Sequence, residues 1–170
     1  MLDRGEMIEF SVADLMKYHG PGSPGGVAHA FKVLQRGLPL LESRGAPERR
    51  EVAVHTAFAG PGARDAFECV LRAVSEDRYT VDLSLERPAL DPTRARFVFR
   101  LAYRDHAVTL TLRDGFVTPE FLELVGQDGR NSEQEARLAR LKQEMADRVM
   151  SAAPDEVYDA TSLLSRGDWI

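Results

Sequence analysis

His19 heads a run of glycine and proline, Gly20-Pro21-Gly22-Ser23-Pro24-Gly25-Gly26. An imidazole titrates near neutral pH and serves as a base or a metal ligand, and glycines let a ligand come close to the backbone. The run also reads as a plain tight turn with a surface histidine. Ser23, four residues on, is a candidate nucleophile. The stronger reading makes it a helix cap, because Ser before Pro at the first helical position is a favoured start that commits the hydroxyl to a backbone amide. Residues 21–25 do not spell the Gly-x-Ser-x-Gly turn of a hydrolase. Asp65 follows a second loop of this kind, Ala59-Gly60-Pro61-Gly62-Ala63-Arg64. A carboxylate near a helix start is favoured by the dipole whether or not it does chemistry. Gly22, Gly62 and Arg64 are candidates to receive an anionic group, through backbone amides at the helix starts and the guanidinium. His55, flanked by Ala53 and Ala57, is a candidate pocket wall or third ligand, although a histidine in this setting is more often a satisfied core residue. His29 and His106 are less specific, and no His-x3-His or Cys-x2-Cys spacing marks a zinc site.

The elements that must position these residues follow from hydrophobic period. Ser11 to Tyr18 reads as a short capped helix carrying Val12, Leu15 and Met16. Val27, Phe31, Leu34, Leu38 and Leu41 recur at helical spacing from about Pro24, and Gly37 and Pro39 are expected to kink or end that helix. Val52 to Phe58 alternates as a strand, and about Ala63 to Val74 reads as the next helix. Three strands follow: Tyr79 to Leu85, Phe97 to Tyr103, and Val108 to Leu112, the last two a hairpin. Helices are expected near Thr118–Val125 and over Glu133–Met150, and a tail with Val157, Tyr158, Leu163, Leu164 and Trp169 packs on the body or on a second subunit. This order describes an α+β fold with a mixed sheet covered by helices on one face. A doubly wound sheet is not expected, since only the first strand is followed by a crossover helix.

Composition narrows the function classes. A chain of 170 residues suits one core, with the body at about residues 8–125 and a C-terminal helix and tail at 131–170. Asp and Glu number 27 against 22 Lys and Arg, and no basic block offers a phosphate-binding face, so nucleic acid is not expected as a partner. The single cysteine, Cys69, allows no intrachain disulfide. Neither a signal peptide nor an apolar run of membrane length is evident, and the expected location is cytoplasmic.

The segment Asp14-Leu15-Met16-Lys17-Tyr18-His19-Gly20-Pro21-Gly22-Ser23-Pro24-Gly25-Gly26 resembles the opening motif of the FmdE-like family, named for a component of formylmethanofuran dehydrogenase, in which a helix ends in His-Gly-His-x-Cys-Pro-Gly before a long helix. Glu51 to Val54 followed by Gly62-Ala63-Arg64-Asp65-Ala66 is similar to that family's strand leading into Cys-x-x-Asp-Ala, and Val149 to Tyr158 to its closing segment. The likeness spans roughly residues 8–160 and implies an α-β-α-β-β-β core, with His19 at the family's first histidine and Asp65 at its aspartate. Pro21, Ser23 and Gly62 stand where the family has its second histidine and two cysteines. A serine hydroxyl is a poor metal ligand beside a thiolate, so tightly bound zinc is not expected.

The resulting expectation is a small-molecule enzyme with a pocket between the His19 loop and the Gly60–Asp65 loop, acting on an anionic metabolite by acid–base or weakly metal-assisted chemistry. The competing expectation is a noncatalytic binding or structural relative. His19 and Asp65 should meet in space, and a homodimer is expected.

Overall fold

A computed structural model of the chain describes residues 1–42 and 45–163. Leu164 and Trp169 of the expected tail lie outside the described residues.

A small N-terminal hairpin, β1 (Leu2–Asp3) and β2 (Glu6–Met7), leads into α1 (Val12–His19). Ser11 caps α1 as expected: its hydroxyl accepts from the Asp14 amide while the Asp14 carboxylate accepts from the Ser11 amide at 2.9 Å. Gly20, at φ 82°, ends it. The long helix α2 (Pro24–Leu41) runs through Gly37 and Pro39, correcting the expected break. Gly37 is required by closeness to the sheet, since a Cβ there would lie 2.6 Å from Leu101 Cδ1 and 2.9 Å from Leu110 Cδ1. Pro39 falls in the last turn, where Gln35, whose carbonyl loses its helical donor, is exposed to water.

Next come β3 (Ala53–Thr56), α3 (Pro61–Leu71) and β4 (Tyr79–Val81), then a short helix α4 (Pro92–Ala95) and the hairpin β5 (Val98–Tyr103) and β6 (His106–Leu112). Helices α5 (Pro119–Gly126), α6 (Ser132–Ser151) and α7 (Pro154–Val157) precede a last strand, β7 (Tyr158–Leu163). The sheet has the order β4-β3-β5-β6-β7, with β3 and β4 parallel and the other neighbours antiparallel. The fold is α+β, with a mixed sheet and C-terminal helices.

Two strands differ from expectation. The strand from Tyr79 stops at Val81 because Asp82 accepts the Ser84 amide and turns Leu83–Leu85 into a 3-10 helix. In the tail, residues 158–163 pair with β6, Leu112 opposite Tyr158 and Ala107 opposite Leu163. Helices α2 and α3 cover the face carrying Val54, Thr56, Phe99, Leu101, Val108 and Leu110, all fully buried. The opposite face carries the row His55, Arg100 and Thr109, with Ala57, Leu85 and Val98 clustered at one end.

Candidate functional site

The C-terminus of α1 delivers His19, and the first half of α3 delivers Asp65, 46 positions later. Their side chains meet: His19 Nδ1 lies 2.8 Å from Asp65 Oδ2. A carboxylate can only accept, so Nδ1–H donates to it, and in the neutral ring the lone pair sits on Nε2. The imidazole is 9% exposed and the carboxylate 29%. Nε2 is buried and has no hydrogen-bond partner among the described residues. Arg64 Nη1 stands 3.4 Å from the other oxygen of Asp65. Asp65 thereby fixes the ring's tautomer, which leaves Nε2 the atom able to take a proton or hold a metal.

No family model matches this chain, and no curated protein does.

The two helix starts near this pair touch each other. A Cβ on Gly62 would lie 2.4 Å from the Ser23 carbonyl oxygen and 3.0 Å from the Val27 nitrogen, and one on Gly26 would lie 3.0 Å from the Ala63 nitrogen. Glycine at both places lets α2 and α3 cross with backbones in contact. Neither start has a side-chain cap. Ser23 occupies the cap position of α2, but its hydroxyl makes no cap bond, which corrects the expectation for this residue. It also makes no pair with His19, whose Nδ1 is bonded to Asp65 and whose Nε2 has no partner, so a serine–histidine nucleophile is not assembled.

Ser23, Gly26 and the Ala57–Gly62 segment open onto a cavity of about 560 Å³. Phe58 and Phe97, stacked at 4.4 Å, form part of its wall with Met145, while Phe121, Leu122 and Val125 of α5 close another side. Such a volume is that of a small-molecule site. His19, Asp65, Arg64 and Gly22 do not line it. Gly22 instead gives its carbonyl to the Lys142 ammonium, at 3.0 Å. The cavity residues outside the two loops carry no sequence signal, because α4, α5 and α6 reach the site only through tertiary packing. Phe58, next to the second glycine loop, is the one legible hint.

His55 does not join the pair. It faces away from α3, on the side of the sheet that carries Arg100, and burial together with that guanidinium lowers its pKa against the opposing pull of Asp82. The expected third ligand is therefore on the wrong face. No group of three or more His, Cys, Asp or Glu able to hold a metal occurs among the described residues.

His29, unspecific by its sequence setting, is fully buried one turn beyond Gly26 on α2. Its Nδ1 is 2.7 Å from the Tyr158 hydroxyl, and its ring packs 4.7 Å from that of Phe97. Desolvation holds it neutral, with a pKa of about 3. No local pattern could pair residues 129 positions apart.

Proposed function

We propose that the chain is a small-molecule enzyme, a divergent relative of the FmdE-like family. It takes an anionic metabolite into the cavity at the α2–α3 crossing and uses His19, oriented by Asp65, as its acid–base group. The observation that carries this reading is the 2.8 Å His19–Asp65 contact with a buried, unpartnered Nε2. Leaving such an atom unsatisfied costs roughly 1–3 kcal/mol, a cost that a reserved reaction position explains. Gly62 and Asp65 are three apart on α3 and so share a face, which puts the pair one turn from the cavity lip.

A noncatalytic binding protein is the second reading, favoured because neither His19 nor Asp65 lines the cavity. A thermal-shift screen with anionic metabolites separates the two. A ligand at a hundred times its dissociation constant stabilises by about 2.7 kcal/mol, and the response should vanish in Leu122→Trp, which fills the cavity. Turnover of a hit, lost in His19→Asn and Asp65→Asn while binding persists, is the expected result. A hit that wild type binds and never alters supports the binding protein, and hits indifferent to Leu122→Trp sink the cavity reading.

Self-association belongs to the same proposal. Val157 and Tyr158 of the tail do not argue for it, being buried in their own chain. The support is the second face of the sheet, turned away from α2 and α3. Light scattering should return a dimer mass, and a monomer mass over a wide concentration range would count against it.

A further inference from the structure

The cavity's charges are one-sided. Asp and Glu outnumber Lys and Arg 27 to 22 in the chain, yet among the described residues no acidic side chain lines the cavity and two cations do, Arg96 and Lys142. Arg96 is already matched, its Nε 3.1 Å from Glu86 Oε2. Lys142 has no carboxylate partner among the described residues and holds only the Gly22 carbonyl. That contact places its ammonium beside Ser23, where the uncapped starts of α2 and α3 also meet. A single unmatched positive charge, an uncommitted hydroxyl and two helix starts thus gather at one end. The walls beyond are hydrocarbon and aromatic: Phe58, Phe97, Met145, Leu83, Leu122 and Val125.

Resting on the cavity assignment above, we infer that the ligand is a monocarboxylate with an extended apolar body. Its carboxylate sits on Lys142 and Ser23 at the helix crossing, and its apolar body lies between the Phe58–Phe97 stack and α5. Burying hydrocarbon supplies most of the attraction. The charge-assisted bond to Lys142 sets the orientation and excludes cations.

Calorimetric titration of the full chain tests this with four probes below their micellar concentrations: decanoate, decanol, decyltrimethylammonium and butyrate. Decanoate should bind, decanol about tenfold more weakly for want of the charged bond, and decyltrimethylammonium and butyrate not measurably. Lys142→Gln should weaken decanoate about tenfold and leave decanol unchanged, and Leu122→Trp should block both. Equal binding of decanoate and decyltrimethylammonium, or a decanoate affinity indifferent to Lys142→Gln, overturns the proposal. If those ligands remain sensitive to Leu122→Trp, the cavity survives as a site for another class. No binding by any probe also overturns the proposal, and the metabolite screen then decides the cavity independently.

Discussion

The side chain of Asp65 does one definable thing to His19: it places the ring proton on Nδ1. Nitrogen-15 shifts should therefore report the neutral form of the His19 ring as the Nδ1-protonated tautomer, and Asp65→Asn should weaken that preference. An Nε2-protonated ring in the wild type would remove the base from the proposed mechanism. This pair is legible in the sequence because each residue borders a glycine loop at a helix end. The neighbouring Ser23 misleads for a related reason, since Ser-Pro predicts a cap but not the backbone angles, here φ −145° and ψ 62°, that keep the hydroxyl off the amides. His29 has a different consequence. Its folded pKa of about 3 lies below the ~6.5 of an unfolded histidine, so on acidification the unfolded chain takes the proton first. The stability due to its neutral burial is complete above about pH 6.5 and is lost as pH falls toward about 3, by up to about 1.4 kcal/mol per pH unit. Urea unfolding at pH 7 and pH 5 should show wild type losing about 2 kcal/mol through this group. His29→Gln should lack that component.

Among the elements, the α2–α3 crossing is the most constrained. Gly62→Ala would set a methyl group against the Ser23 carbonyl, which belongs to the backbone and can yield only if a helix moves. Overpacking of this kind costs about 1–3 kcal/mol, and the variant should melt correspondingly lower with its cavity distorted. An unchanged melting temperature would show that the helices are not in backbone contact. The helices and the central strands are readable from apolar period because each buries one stripe or one face. Three features are not. Gly37 and Pro39 read as breakers, yet packing against Leu101 and Leu110 carries α2 past the first and an exposed last turn accommodates the second. Asp82 ends a strand that alternation alone would continue to Leu85. The strand at Tyr158 has few apolar residues, and its pairing with β6 is a long-range choice with no local signature.

For the molecule as a whole, the dyad and the loop edge of the cavity at Ser23 and Gly60–Gly62 are foreseeable, and the remaining walls are not, because they come from segments spread as far as Met145. One of those walls, α5, contributes no buried residue. It is tied down at its ends, by the Thr118 cap, by the Glu120–Arg137 ion pair at 2.6 Å and by Arg130 on the Leu124, Val125 and Gln127 carbonyls. Phe121 and Leu122 pack only partly buried against the core, so the helix uncovers far less apolar surface on lifting than global unfolding does, and its opening is decoupled from it. Hydrogen exchange should find the α5 amides exchanging faster than those of α2, with rates that depend less on denaturant. Exchange of α5 only at the rate of global unfolding would refute this. The consequence concerns time and not affinity. A ligand's residence in the cavity is set by the lifetime of a few surface ties, so Arg137→Ala should shorten that residence while the melting temperature of the core stays where it was.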